Sequence, residues 1–538
     1  MNVSGDPRPA RSWIRVSRLG GLLALGLLTM TMVAPRFTAI PYSRPAALAS
    51  FAVLAVATWV LLRRGGLPSD RLARRLALPV GVACTALSAF VGYATYYVTT
   101  WDSKLIQNLV ARAPEQVSAY EIAYLSRYPN NDLLLMLARQ AHRLAEATGL
   151  DYGTVFLAFQ VVFLAVTLAG VYRLCLLMGD HTTALAAMVL VTLLVGLSPW
   201  MAVPYTDVPS MWTPVWAIYC VIRAHRARNR RTTGAWALAA GGILAIGVAL
   251  KTTPLVVIVA ATLWFVAVAL GDRDRRTWIA CTVRVGCLAA GVAIGMLMSG
   301  PLVARWAEPP ATTHGVSASV WHYVASGIRV QVGPNHNRIF GGYDRPTNSA
   351  TFGKPTPVQD RISKHMISAE LKRRGVLGTL AFEVNKLDFN WGDGMLWAYG
   401  EGSDLSRRPV HHGQPFETVQ SWNSPSGQLF GPRVALTQAL WWLVLALAAV
   451  GWLRGRVTAE SLLLLVTLVG VAAFTLLFQG RSRYLITYVP LLAVAALWWT
   501  ADVRPHVAAG RRRVAAGGRA VRAATARGRH RRRPWLDG

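Results

Sequence analysis

Cysteine is scarce, and it does not lie where a disulfide framework would need it. The 538-residue chain has five cysteines, all within or beside apolar runs, and none has the CxxC spacing. Secreted domains pair cysteines in polar segments, and structural zinc sites commonly use closely spaced thiols. The pattern therefore predicts neither an external disulfide network nor a cysteine-bound zinc ion. The five residues are Cys84, Cys175, Cys220, Cys281 and Cys287.

Acidic residues are also few. Asp and Glu number 25 against 56 Lys and Arg, which gives a formal net charge of +31. In a soluble protein this excess would suggest nucleic-acid binding, but the sequence has no DNA- or RNA-binding motif. The basic residues instead cluster between apolar runs, where they set topology and attract anionic lipids. We therefore expect anionic lipids, and no nucleic acid, as partners of the cytoplasmic arginine clusters.

Apolar sequence is abundant. The chain is 53% hydrophobic, its mean hydropathy is +0.36, and many of its apolar runs approach the length that crosses a bilayer. This composition predicts an all-α polytopic membrane protein with about twelve transmembrane helices. The predicted spans are 19–34, 46–62, 77–98, 154–178, 182–203, 208–223, 235–250, 254–270, 282–303, 435–453, 460–478 and 485–501.

Arginine clusters orient these spans. The positive-inside rule places the N-terminus and the basic loop after the second span in the cytoplasm, so the third span runs outward. Both termini are then cytoplasmic, and the two long loops are external. The predicted regions are the N-terminal spans 1–98, a first external loop 99–152, a transmembrane bundle 153–303, an external loop region 304–433, the C-terminal spans 434–501 and a basic cytoplasmic tail 502–538.

A carboxylate follows the third span directly. Asp102 lies within about one turn of the membrane edge, and apolar residues at helical spacing predict surface helices at 103–113 and 131–148. An acid at this exit could serve an enzyme that meets both a lipid headgroup and a water-borne acceptor. Asp is also a common helix N-cap. Both interpretations stay open from this stretch alone.

Four other short motifs fall on the same predicted side of the membrane. They are Arg127-Tyr128-Pro129-Asn130-Asn131, Pro204-Tyr205-Thr206-Asp207, Lys251-Thr252-Thr253-Pro254 and Gln479-Gly480-Arg481-Ser482-Arg483-Tyr484. Together with Trp101-Asp102, this arrangement resembles the GT-C superfamily of integral membrane glycosyltransferases. Within it, the chain looks most like the bacterial branch related to protein mannosyltransferases and lipid A aminoarabinose transferases.

The resemblance implies a GT-C-like bundle in the bacterial plasma membrane with an external active site. In that family an acidic residue opens the first external loop, a polyprenyl-phosphate sugar is the donor, and basic residues of external loops hold its phosphate. The acceptor would be a glycan, a lipid or a protein. Many members have Asp-Glu where this chain has Asp102-Ser103. Many also place the Asp-bearing helix first, whereas two spans precede it here.

Direct displacement of a lipid phosphate needs one base, and Asp102 is the predicted base of an inverting transfer. Fixed cations would hold the departing phosphate, although Lys and Arg at membrane edges also snorkel without any function. As interfacial side chains, Arg481 and Arg483 are expected to contribute modestly to stability. The predicted donor-phosphate ligands are Arg127, Lys251, Arg481, Arg483 and Tyr484.

Aromatic and polar residues near these motifs could contact the sugar or the acceptor, because sugar rings stack on aromatic faces and their hydroxyls bond to carboxylates. Asp207 could equally be a helix cap, and the Gly392-Asp393-Gly394 run could equally be a turn. No cofactor is indicated with certainty, and a divalent metal is compatible with the chemistry. The predicted contact residues are Tyr128, Asn130, Tyr205, Asp207, Trp391 and Asp393.

Two other classes remain compatible with the sequence: a polytopic transporter or flippase, and an oligosaccharide ligase or polymerase of the cell envelope. Transporters usually place charged residues near the membrane midplane, whereas here the charges fall at helix ends. A first external loop that brings Asp102 toward Arg481 and Arg483 would favour the glycosyltransferase. A central cavity through the bundle would favour transport.

Overall fold

A computed structural model describes residues 11–33, 40–64, 68–272, 274–332, 338–401 and 408–502. Apart from residue 502, the predicted basic tail lies outside these residues. The described chain is almost entirely helical, with one short antiparallel strand pair, β1 (Val330–Val332) and β2 (Arg338–Phe340). The predicted all-α membrane class is therefore confirmed.

Ten helical segments in the described chain are long and apolar enough to span a bilayer. The most buried of them is the last, which starts with a 3₁₀ turn, Ser482–Tyr488. They are α1 (Arg11–Val33), α2 (Arg44–Arg64), α3 (Asp70–Ala94), α7 (Tyr152–Met178), α11 (Arg230–Leu250), α12 (Leu255–Asp272), α13 (Arg275–Ala307), α18 (Phe430–Arg454), α19 (Ala459–Leu477) and the segment containing α20 (Val489–Leu497).

Two of the twelve predicted spans are shorter than expected. The 182–203 run is α8 (His181–Val191), which widens into a π-helix over Thr192–Gly196 and stops before Pro199. The 208–223 run is a single turn, α9 (Asp207–Ser210), followed by α10 (Trp212–Arg226). Proline cannot donate a backbone hydrogen bond and clashes with the preceding turn, so the prolines at 199 and 204 keep this stretch from continuing as one helix.

These shorter elements still run between the two ends of the bundle. At one end, the His181 amide donates to Asp70 Oδ1 at 2.9 Å, and Arg226 pairs with Glu460 at 2.7 Å. At the other end, Asp207 pairs with Lys251, which follows α11. We call this second end the loop end, because it carries the segment 95–151 and the described residues of 308–332, 338–401 and 408–429. Ten described segments therefore have the length of a span, and α8 and α10 connect the same two ends as shorter helices.

The segment after α3 folds into three short helices: α4 (Asp102–Val110), α5 (Ala119–Arg127) and α6 (Asp132–Thr148). α4 and α6 correspond to the two predicted surface helices, whereas α5 was not predicted. α5 begins with a capping box, in which Ser118 and Glu121 each bond to the other's backbone amide. The start of α4 and the end of α5 both reach the candidate site.

The region after α13 contains α14 (Val320–Gly327), the strand pair, α15 (Arg345–Thr351), α16 (Thr356–Trp391) and α17 (Phe416–Asn423). α16 is bent at Gly375 and contacts α1, and its C-terminal part bonds to the end of α19. Lys386 of α16 donates to the Phe478 carbonyl at 2.9 Å. This bond fixes the chain just before the Gln479–Tyr484 motif.

Candidate functional site

The site begins at a strained residue. Trp101 has φ 73° and ψ −158°, a region that essentially only glycine occupies without cost. Holding a tryptophan there costs about 1–3 kcal/mol, so surrounding contacts must enforce it. The next side chains supply one such contact: Ser103 Oγ accepts from Thr99 at 2.9 Å and donates to the Pro204 carbonyl at 3.0 Å. The start of α4 is thereby fixed to the loop before α9.

Asp102 is exposed to solvent, although its neighbours Ser103, Tyr124 and Tyr205 are buried. Desolvation by the surrounding protein raises the pKa of the Asp102 carboxyl above its ordinary value, while Arg483 opposes this rise. The Tyr124 hydroxyl interacts with the carboxylate as a hydrogen-bonding neighbour and also favours its charged form. The Asp102 carboxylate is thus accessible to water, although protein surrounds most of it.

Five charged side chains gather beside Asp102, and we call them the charged cluster: Asp207, Lys251, Glu401, Arg481 and Arg483. Lys251 bonds to Asp207 Oδ1, and Arg481 bonds to Glu401 Oε2. Arg483 joins the two pairs, since its Nη1 lies 2.9 Å from Glu401 Oε1 and its Nε lies 3.7 Å from Asp207 Oδ2. Four chain segments that are far apart in sequence therefore meet at the loop end.

Aromatic rings surround the Arg483 guanidinium. Its central carbon lies 5.0 Å from the ring centroid of Trp101, 5.4 Å from Tyr205, and 5.7 Å from both Trp200 and Tyr484. Trp101 and Tyr205 meet edge to face at 4.6 Å. A cation near several aromatic faces is stabilised by their quadrupoles. The strained Trp101 therefore forms part of the wall around Arg483.

A tight turn of the chain precedes Glu401 and places it in the charged cluster. Leu396, Trp397 and Tyr399 all have positive φ, and the Asp393 carboxylate accepts the Met395 and Trp397 amides at 2.9 and 2.7 Å. Two buried side chains from other segments also bond to this turn. Ser482 donates to Asp393 at 3.1 Å, and Trp441 donates to the Trp391 carbonyl at 2.6 Å. Asp393 and Trp391, predicted as sugar contacts, are buried and hold this turn together.

Arg127, predicted as a phosphate ligand, lies outside the charged cluster. Its buried guanidinium donates to Thr351 Oγ1 at 2.7 Å and to the Thr351 carbonyl at 3.1 Å, and it contacts His322 at 3.2 Å. Burial and the nearby Arg127 charge lower the His322 pKa to about 3, so this histidine is neutral at physiological pH. Arg127 therefore joins α5 to α14 and α15.

The other predicted residues of the first loop differ in their distance from Asp102. Tyr128 is near enough for the Asp102 charge to contribute to its raised pKa of about 12, which burial mainly causes, and its hydroxyl donates to Asn348 at 3.2 Å. Asn130 contacts Asn131 at 3.4 Å. Asn131, which was not predicted, donates to the Tyr124 hydroxyl at 2.9 Å. Asn131 therefore reaches the surroundings of Asp102 through Tyr124.

Several cluster neighbours could not be assigned from sequence. Glu401 lies in an aromatic and acidic stretch, but no spacing links it to Arg481. Trp200 and Thr487 lie within apolar runs, where they look like ordinary core residues. Thr487 accepts from Lys251 at 3.3 Å. Among the described residues, no group of three His, Cys, Asp or Glu side chains is arranged to hold a metal ion.

Residues 75–503 match the family described as conserved hypothetical integral membrane protein. The chain belongs to this family. The family match starts within α3 and ends just after the last span, so it includes Asp102 and the whole charged cluster. It leaves out α1 and α2, the two spans that precede the Asp-bearing helix. A comparison with curated proteins finds no match.

Proposed function

We propose that the protein is an inverting membrane glycosyltransferase of the GT-C type, which moves a sugar from a polyprenyl-phosphate donor to an acceptor. In this reaction the acceptor oxygen bonds to the anomeric carbon, and the bond from that carbon to the phosphate oxygen breaks. The acceptor proton goes to Asp102, and the bonding electron pair leaves with the phosphate. The observation that carries the proposal is the solvent-accessible Asp102 carboxylate beside three buried or partly buried cations.

The formal charges support this assignment. Asp102 and the charged cluster together hold three carboxylates and three cations, so the site is formally neutral. A polyprenyl-phosphate sugar is a phosphodiester with one negative charge. When Asp102 takes the acceptor proton, the side chains become net positive by one charge, just as the departing phosphate gains one negative charge. Fixed charges that compensate charge development lower the barrier without reorganisation.

Unused hydrogen-bonding atoms support the binding roles. The Nε atoms of Arg481 and Arg483 are buried and have no hydrogen-bond acceptor in the described chain, and Asp207 Oδ2 likewise accepts no hydrogen bond there. Phosphate oxygens would satisfy the two donors, and a sugar or acceptor hydroxyl would satisfy the Asp207 oxygen. We assign Lys251 and Tyr484 to the phosphate side, because the Lys251 ammonium lies 5.2 Å from the Tyr484 ring centroid.

The loop end would face the outside of the bacterial plasma membrane, with both termini in the cytoplasm. Support comes from the basic residues between spans, which cluster at the opposite end, as the positive-inside rule requires. Anionic lipids would bind there. Tyr128 and Tyr205, near Asp102, are the proposed contacts for the glycan, lipid or protein acceptor.

The decisive experiment is mass spectrometry of lipid-linked sugars and envelope glycans from a deletion strain. We expect one glycan to be lost and its polyprenyl-phosphate sugar to accumulate, with both effects reversed by the parent gene and not by Asp102→Asn. Asp132→Asn is the matched control, because Asp132 also starts a helix of the same loop and burial also raises its pKa, to about 6. Unchanged glycans in the deletion strain would rule the proposal out.

A further inference from the structure

α16 changes character at its bend. Gly375 has φ 64° and ψ −175°, a conformation that suits glycine and not other residues. It divides the helix into a first segment, 356–374, and a second segment, 376–391. The two segments present different surfaces to their surroundings.

The outward face of the second segment is apolar. The side chains at relative positions 0, 1, 4 and 8 lie within about 100° of one another on a helix with 3.6 residues per turn. They are also among the more exposed apolar residues of the chain. Their exposed fractions are 86% for Val376, 81% for Leu377, 61% for Leu380 and 49% for Val384.

The outward face of the first segment is polar, although it belongs to the same helix. Most of its exposed residues carry charge or hydroxyl groups, as expected for a helix in water; the exposed apolar exceptions are Pro357, Ala369 and Leu371, the last 41% exposed. The exposed polar residues include Arg361, Lys364, His365, Ser368, Lys372 and Arg373. The change from polar to apolar exposure coincides with Gly375.

The inner face of the second segment is anchored to the bundle. Asn390 donates to the Thr475 carbonyl at 3.1 Å, and Lys386 donates to the Leu476 and Phe478 carbonyls. These carbonyls lie at, or directly after, the loop end of α19, a candidate membrane span, and α16 also contacts α1. Leu477, at the end of α19, is itself 55% exposed. The apolar face thus continues the apolar surface of the spans.

We propose that the second segment of α16 lies in the bilayer interface, with Val376, Leu377, Leu380 and Val384 among lipid acyl chains and Gly375 at the boundary with water. Lys372 and Arg373 then stand at headgroup level, where anionic phosphates attract them. A long apolar stripe exposed to water would be unfavourable, whereas burial in lipid stabilises it. This inference is independent of the proposed transferase activity.

The membrane contact has a structural consequence for the site. The second segment contacts lipid with one face and holds the residues before Arg481 with the other. Its depth in the membrane therefore sets the height of the Gln479–Tyr484 motif relative to the lipid headgroups. A phosphate group carried by a lipid lies at that level.

Collision accessibility of nitroxide labels tests the proposal. In the full-length protein with Cys287→Ser, the four remaining native cysteines are buried. One cysteine introduced at 376, 377 or 380, or at the control positions 364 or 368 of the first segment, is then the accessible site for labelling. In nanodiscs of phosphatidylethanolamine and phosphatidylglycerol, we expect the ratio of oxygen to nickel-chelate collisions to be several-fold higher at the first three positions. All five sites are exposed or have small side chains, so labelling should leave the fold intact.

Two results would overturn the proposal. Equal ratios in the two segments would mean that the apolar stripe faces water. Low collision rates with both reagents at 376, 377 and 380 would mean that a protein surface covers the stripe. A high oxygen ratio at 376, 377 and 380 that is absent at 364 and 368 would support both the lipid contact and a boundary between the two segments.

Discussion

Asp102 and the charged cluster hold carboxylates in opposite environments. Asp207 and Glu401 are buried, and each is paired with two cations. Asp102 is exposed and forms no ion pair with any described residue, and its pKa is raised. A carboxylate paired with fixed cations shapes the local field, whereas an unpaired one with a raised pKa can take up a proton. The two regions therefore suit different tasks in one reaction.

The largest effect is expected at Asp102. Asp102→Asn preserves size and helix-start chemistry but cannot accept a proton, and loss of a positioned general base costs about a hundred- to ten-thousand-fold in rate. We expect turnover of a polyprenyl-phosphate sugar to fall by that factor in purified protein, while donor binding persists. The N-cap position of α4 is Trp101, and Asp102 is the first helical residue. Turnover within a few-fold of the parent would therefore leave Asp102 as an acidic first-turn residue with no part in the chemistry.

The second effect concerns stability of the charged cluster. Lys251→Met leaves Asp207 with only the longer Arg483 contact, and removal of one partner of a buried pair costs about 3–5 kcal/mol in the free energy of unfolding. The double variant Lys251→Met/Asp207→Asn should recover much of this loss. Thermal unfolding in detergent measures both. Additive losses would show that the two residues do not act as a pair.

The third effect is a shift in pH dependence. A base works only when deprotonated, so turnover should rise with pH through the Asp102 pKa, which lies above the ordinary value for Asp. The Tyr124 contact favours the charged carboxylate, and Tyr124→Phe should therefore raise that pKa. We expect the acidic limb of the rate profile to move upward by about one pH unit, the equivalent of one hydrogen bond to a charged group.

Tyr120→Phe is the control for this shift. Tyr120 lies one turn earlier on α5 and is exposed, so removing its hydroxyl should leave the acidic limb in place. A limb that is unmoved in Tyr124→Phe would separate Tyr124 from the titration of Asp102.

The smallest effect on donor use is expected at Arg127. Arg127→Met removes the hydrogen bonds to Thr351 that help to join α5 to α14 and α15. Because these contacts are lost, we expect a lower unfolding temperature. The Michaelis constant for the donor should stay within about twofold, because one missing contact outside the site changes binding little. A large rise in that constant, without loss of stability, would place Arg127 at the phosphate after all.

The sequence predicted the positions of the spans well, because apolar length and basic flanks report directly on the membrane. That order in turn predicted that Asp102, Asp207, Lys251, Arg481 and Arg483 share one end, and the structure brings them together. The sequence could not distinguish which basic residues on that side lie near Asp102, so Arg127 was grouped with the predicted phosphate ligands. Arg483 was expected to be an interfacial side chain with a modest contribution to stability, whereas the structure buries it between two carboxylates.

Glu401 and the turn before it show why the remaining parts of the site could not be predicted from the sequence. A glycine-aspartate-glycine run is equally typical of a turn and of a sugar contact. Only the hydrogen bonds that Asp393 makes in the folded protein distinguish these two interpretations. The pairing of Glu401 with Arg481 joins residues 80 positions apart. Local propensity carries no information about such a contact.

The conformation of Trp101 exchanges backbone strain for contacts around Arg483. Glycine would adopt φ 73° without strain, so Trp101→Gly would relieve part of the about 1–3 kcal/mol held there. It would also remove the indole that packs beside Arg483 and Tyr205. The loss of these contacts offsets the relieved strain, so Trp101→Gly would replace a strained backbone with an incomplete wall around Arg483, and forms of the protein intended for functional work should keep this tryptophan.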